Sequence, residues 1–179
     1  MVPGRVSGDY DQLLKTLVNA HKEQAAFGLA THLGFLVAQA AAHWCRGQQV
    51  LLVPVPSRPG VVRRRSHDPV LRMTRAAAHW LRRAGSHVQC VELLWQRLPA
   101  ADHAGLSSAD RFRNRVETMA VRPEAREVLV RLGRVPTVVI CDDVITTGAT
   151  VVEAQRALAA HGLGAVGAAA VAGTQRRVV

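Results

Sequence analysis

The run from Thr137 to Thr150, T-V-V-I-C-D-D-V-I-T-T-G-A-T, limits the folds open to this chain more than any other stretch. Val138, Val139, Ile140 and Cys141 follow Pro136 as an unbroken apolar run, the pattern of a strand buried on both faces. Two carboxylates, Asp142 and Asp143, stand where that strand is expected to emerge. Thr146, Thr147, Gly148, Ala149 and Thr150 come next, and then a helical stripe of Val151, Ala154 and Leu158 that ends at His161-Gly162. A strand, a turn of small hydroxyl residues and a helix gather backbone N–H groups and hydroxyls around one point. The positive end of the helix lies behind it, which makes an anion site. Acids at one side and an anion cradle at the other suit a ligand with hydroxyls or metal at one end and phosphate at the other.

Other arrangements also end a strand in two acids. A nucleotide hydrolase would need G-x-x-x-x-G-K-[ST] upstream, and the chain has none. A phosphoacceptor receiver domain carries its acid pair near its start, whereas few residues remain after this one. In the plainest alternative the acids merely finish a strand, and Thr150 with Glu153 forms a capping box for the next helix. That reading leaves the second acid and the T-T-G-A-T turn without a role.

The rest of the chain supplies the setting. Residues 1–8 read as a loose, flexible tail. Leu13, Leu14, Leu17 and Val18 make a helical stripe within Asp9 to His21, and a longer helix is expected from Gln24 to Trp44, so that 9–47 forms a pair of leading helices. Gln49 to Val55 reads as a second buried strand ended by prolines. Ser57, Arg58, Pro59 and Gly60 then form a turn, followed by Arg63-Arg64-Arg65. Asp68 and Pro69 give the next helix an N-cap and a first-turn proline. Val88 to Leu94 reads as a third strand, Glu117 to Val121 as a short one, Pro123 to Leu132 as a short helix and Ala165 to Val171 as the last strand. Alternating strands and helices predict an α/β fold with a mostly parallel central sheet flanked by helices, in one domain over 9–179. Ligands in such sheets sit beyond the carboxyl ends of the strands. There the acid pair, Ser57 and the loop after Leu94 are expected to converge.

Ser57 and Arg58 follow their strand as the acids follow theirs. Backbone N–H groups beside a guanidinium suit pyrophosphate, although an ordinary exposed turn has the same composition. Arg63 to Arg65 fit a solvated or steering basic patch first and a direct phosphate contact second. Trp95 to Ser108 loses periodicity, which inside a compact domain suggests a lid or hood, taken here as 95–120.

With 179 residues there is length for one substantial core. The formal charge of +10 is almost wholly arginine, with Lys15 and Lys22 as the sole lysines. It favours anionic partners, either phosphorylated small molecules or nucleic acid, and part of it can reflect a GC-rich genome. Cys45, Cys90 and Cys141 lie far apart without a C-x-x-C pair, the pattern of core thiols in a reducing cytoplasm. The first residues lack the apolar core of a signal peptide, and the Ala-rich Gln24–Cys45 segment is broken by polar residues, so no membrane partner is expected.

The Thr137–Thr150 stretch resembles the phosphoribosyl-pyrophosphate (PRPP) signature of type I phosphoribosyltransferases. V-P-V-P-S-R-P-G-V-V-R-R-R, H-A-G-L-S-S-A-D-R-F-R-N and the helix from Tyr10 to Lys22 narrow the likeness to the ComF-like branch, linked to competence for DNA uptake. The resemblance implies the type I fold with a small hood. It also implies that Asp142 and Asp143 hold the ribose hydroxyls and that Thr146 to Thr150 wrap the 5-phosphate. Ser57 and Arg58 become the pyrophosphate loop, and Arg97 a residue that reaches the pyrophosphate when the lid closes over a water-sensitive ribosyl cation. Mg²⁺ would enter with PRPP near the acids rather than on direct protein ligands. A nitrogen nucleophile, amine or nucleobase, would displace pyrophosphate, as in nucleotide metabolism. The assemblies open to the chain include a homodimer. The sequence departs from the branch in three places: it has no N-terminal zinc module, it carries Ser66-His67-Asp68-Pro69 where Gly-Phe-Asn-Gln is common, and it has His103 in place of Gln. The rival reading is a non-catalytic PRPP-binding or DNA-uptake accessory on the same fold.

Overall fold

The computed structural model describes residues 2–57, 59–97, 118–132 and 136–174. Its centre is a five-stranded sheet, parallel throughout, built from β1 (Gly4–Asp9), β2 (Val50–Pro54), β3 (Val88–Cys90), β6 (Thr137–Ile145) and β7 (Ala165–Gly173) in the order β1-β7-β6-β2-β3. A separate antiparallel pair, β4 (Leu94–Gln96) and β5 (Met119–Val121), stands beside it. The helices are α1 (Gln12–Glu23), α2 (Leu29–Ala41), α3 (Pro59–Arg65), α4 (Pro69–Arg83), α5 (Ala125–Leu132) and α6 (Ala149–Ala159). This is the expected α/β fold with a parallel sheet flanked by helices, consistent with the type I phosphoribosyltransferase fold.

Alternation along the central strands divides the core into two. Val50, Leu52, Val139 and Cys141 face α2 and α4, packing with Leu33, Val37, Met73 and Ala77. Leu51, Val53, Val138 and Ile140 face α6 and the β4–β5 pair, packing with Leu94, Met119, Ala154 and Leu158. Residues 50–53 and 138–141 are fully buried, as an apolar run covered on both sides requires. Small residues let the layers close. A methyl group on Gly34 of α2 would lie 2.5 Å from Ala76 Cβ and 2.7 Å from the Met73 carbonyl, so the contact of α2 with α4 depends on a bare Cα. Gly167 of β7 has the Trp44 ring seated against it in the same way.

Four local expectations need correction. The tail expected over residues 1–8 is instead an edge strand from Gly4, paired with β7 from Gly4↔Ala168 to Asp9↔Gly173. Its side chains are mostly exposed, so backbone pairing rather than apolar burial holds it, and no hydrophobic pattern announces it. The turn expected at 57–60 gives way to α3, which begins at Pro59 and carries the three arginines in its last turn. The single strand expected over Val88–Leu94 is two: the Val91 N–H still bonds Leu52 O, but the Leu93 N–H folds back to Val91 O at 3.0 Å. That bend sends β4 out of the main sheet to pair with β5. Finally, Asp142 and Asp143 lie inside β6, which continues to Ile145.

The helix after β2 starts as expected. Asp68 caps α4, its Oδ1 accepting the Leu71 N–H at 3.0 Å, with Pro69 in the first turn. The capping box proposed for Thr150 and Glu153 is absent. Gly148 is the N-cap of α6, at φ 76°, and Glu153 is engaged elsewhere. It accepts from Arg156 and from the Met119 N–H at 2.9 Å, while Arg156 donates to Met119 O at 2.9 Å. This pair ties β5 to α6. Burial alone would raise the Glu153 carboxyl, but the Arg156 guanidinium and the Met119 N–H hold it below the usual range.

Candidate active site

Asp142 and Asp143 are both nearly buried, 8% and 6% exposed. They line one cavity of about 260 Å³ together with Lys22, Ser57, Arg65 and Thr150. Adjacent residues of a strand turn to opposite faces. Asp143 takes the side of α1, where Lys22 Nζ meets its Oδ2 at 2.6 Å. Asp142 turns back on the chain, its Oδ1 accepting the Asp143 N–H at 2.8 Å.

Burial, and then the neighbouring Asp143 carboxylate, push the Asp142 carboxyl up to about 7, with the Asp143 N–H and Lys22 acting against the rise. Near neutral pH this acid is poised between its two protonation states. It can donate to, or accept from, a ligand hydroxyl.

The loop that follows is set by Gly148. A positive φ there turns the chain from β6 into α6 without a Cβ clash. Thr147 Oγ1 accepts the Ala149 N–H at 3.3 Å. On the other flank, the Thr174 N–H bonds Ile145 O at 3.1 Å and Thr174 Oγ1 bonds Thr146 O at 3.3 Å, so the end of β7 braces the turn. Thr146, Thr147, Ala149 and Thr150 are exposed around a buried Gly148, and Thr150 reaches into the acid cavity.

Ser57 enters the same cavity, but its N–H already donates to Asp68 Oδ2 at 3.2 Å. One carboxylate thus caps α4 and restrains the segment after β2. Arg58 lies outside the described residues. Arg97 follows β4, its N–H bonded to Thr118 O at 2.9 Å, and it is not among the residues that line the acid cavity. Of the hood expected over 95–120, β4 and β5 form the two ends, while 98–117 lies outside the described residues.

Lys22 and Arg65 are the residues that motif reading missed. The sequence places Arg65 in a solvated or steering patch first and at a phosphate contact second; its side chain is 16% exposed and lines the cavity. Arg64 fits the solvated description better, at 71% exposed. For Lys22 one signal was available: a lone lysine pair in an arginine-dominated chain. Turning back from the acids across Val55–Ser57, a second cleft of about 660 Å³ opens between β2, α3 and the β4–β5 pair, lined in part by Arg63, Glu92, Trp95, Gln96 and Arg122.

Burial pushes Cys45 up to about 11 and Cys90 up to about 12, and lifts Cys141 as well. Among the described residues no group of three or more His, Cys, Asp or Glu is placed to hold a metal ion. Two carboxylates, one already paired with a lysine, fit a hard cation that is carried mainly by oxygens of a ligand. No helix among the described residues is long and apolar enough to cross a membrane.

A parallel sheet with two acids near the carboxyl end of a central strand, and a glycine turn into a helix just after it, is an arrangement that suits phosphorylated ligands. Comparison with known families agrees: residues 100–178 match the family model of the phosphoribosyl transferase domain. The matched span includes β5, β6, α6 and β7, and so the acid pair and the turn after it. The match, over less than half of the chain, supports a type I phosphoribosyltransferase-like family and phosphoribosyl transfer in general. No curated protein matches the chain.

Proposed function

We propose that this chain is a PRPP-binding phosphoribosyltransferase of the ComF-like branch, which passes the 5-phosphoribosyl group to an amine or nucleobase nitrogen and releases pyrophosphate. The observation that carries the reading is the single cavity shared by Asp142, Asp143, Ser57 and the first turn of α6 at Thr150. The two acids would accept the ribose hydroxyls. The turn from Thr146 to Thr150 would cradle the 5-phosphate with N–H groups, hydroxyls and the positive end of an eleven-residue helix. Ser57 and Arg58 would face the pyrophosphate, with Arg97 approaching from the hood.

The chemistry asked of the protein is mainly positioning and charge stabilisation. Asp142 and Asp143 would stand beside Mg²⁺ entering with PRPP, and the ion would supply charge neutralisation for the leaving group. Asp142, with its carboxyl pushed up to about 7, can donate a hydrogen bond to a ribose hydroxyl or accept one from it. For the Ser57 N–H to reach pyrophosphate, its bond to Asp68 must break. The larger cleft beyond Val55–Ser57 offers the nitrogen nucleophile a place beside the ribose. Its mixture of Trp95 with Arg63, Glu92 and Arg122 suits a flat polar base or an amine.

Calorimetric titration of PRPP with Mg²⁺ tests the binding, and pyrophosphate release with ammonia, amines and free nucleobases tests the transfer. Folded protein that gives no heat with PRPP would sink the reading. The second reading, a non-catalytic or DNA-uptake accessory, draws on the charge of +10. DNA binding that weakens steeply with salt would support its DNA-uptake form.

A further inference from the structure

The last turn of α1 neutralises both walls of the acid cavity. Lys22 pairs with Asp143, and the next residue, Glu23, takes Arg65 in a two-point grip: Arg65 Nε donates to Glu23 Oε2 at 3.2 Å and a terminal guanidinium nitrogen donates to Oε1. We propose that Arg65 is an anion-binding residue of this cavity, held in reserve by Glu23, and that its guanidinium passes from the carboxylate to a phosphate group when a phosphorylated ligand enters. The assignment rests on reading the cavity as a phosphate-binding site.

Three observations carry it. Arg65 lines the cavity with a side chain 16% exposed, so its charge already faces the space a ligand would fill. The fork that grips a carboxylate at two points is the same fork that grips a phosphate. Its present partner is the more replaceable one, since Glu23 is 49% exposed and regains water on release. The backbones on both sides are fixed, so the exchange needs only side chains to move. His67 Nδ1 lies 2.8 Å from Arg65 O and its Nε2 3.2 Å from His21 O, while His21 Nε2 lies 3.3 Å from Pro69 O. That pair of imidazoles clamps the end of α1 against the turn between α3 and α4. Ser66 in that turn sits at φ 59°, in the left-handed region, directly after Arg65.

The experiment measures inorganic pyrophosphate and Mg²⁺-PRPP binding by calorimetry on the full chain and on Glu23→Gln, Arg65→Gln and the double variant. Glu23→Gln removes the competing charge and is expected to tighten pyrophosphate binding about threefold to tenfold. Arg65→Gln weakens it about tenfold or more. In the double variant the gain from Glu23→Gln disappears, an outcome that a merely structural salt bridge would not give. Unchanged or weaker pyrophosphate binding by Glu23→Gln, or the same gain with and without Arg65, overturns the assignment. If pyrophosphate behaves as expected but PRPP gives no heat with any of the proteins, the phosphoribosyl reading falls and the Arg65 assignment stands. If neither ligand binds any of the four, both fall.

Discussion

Asp142→Asn offers a way to gain stability at the expense of the site. The carboxyl is nearly buried, and burial with the Asp143 charge moves it from 3.8 to about 7. Each pH unit of such a displacement is worth about 1.4 kcal/mol between the protonation states. Ionising this group in the folded chain therefore costs on the order of 4 kcal/mol. The sign follows from proton binding. Between about pH 4 and pH 7 the folded chain keeps the proton and the unfolded chain has lost it, so stability falls as pH rises through that window and levels off above it. Asparagine carries no such charge, and its side-chain oxygen can still accept the Asp143 N–H. Urea unfolding of the two proteins should show the variant gaining on the wild type by about 3 kcal/mol between pH 5 and pH 8. Mg²⁺-PRPP binding should be lost by the same substitution, the usual exchange of stability for function. A stability gap that is equal at pH 5 and pH 8 would refute the claim that Asp142 is held protonated by its surroundings.

Other substitutions probe the parts that shape the site. Gly34→Ala places a methyl group against the backbone of α4, and urea midpoints should fall by about 1–3 kcal/mol in stability. Gly148→Ala forces a side chain into the left-handed region at the N-cap of α6. A loss of about 1–2 kcal/mol in thermal unfolding, with weaker PRPP binding, is expected. Asp68→Ala removes the cap of α4 and should cost about 1 kcal/mol by the same assay, while the freed Ser57 N–H keeps pyrophosphate binding intact or better.

What could be read from the sequence was whatever depends on neighbours in the chain. The buried run from Val138 to Cys141, the acids after it, the glycine-centred turn and the Asp68-Pro69 cap are all local patterns, and all are found. Strand β1 was hidden because G-R-V-S-G-D contributes hydrogen bonds and almost no buried apolar surface. The division of Val88 to Gln96 was hidden because V-Q-C-V-E-L-L-W-Q reads as one apolar segment, and only the fold-back at Leu93 separates it. Lys22, Glu23 and Arg65 escaped for a different reason. Their pairings span 42 residues between Glu23 and Arg65 and more between Lys22 and Asp143, and no periodicity marks a side chain whose partner is chosen by the fold.

The pairing of β1 with β7 bears on how the protein can be handled. β7 is mostly alanine and glycine, and with β1 in place it is an interior strand. Removing residues up to Asp9 would turn a smooth, small-residue strand into an open rim of unsatisfied amides and carbonyls. Such a rim recruits other strands, so a trimmed variant should precipitate or self-associate even though every residue of the acid cavity remains.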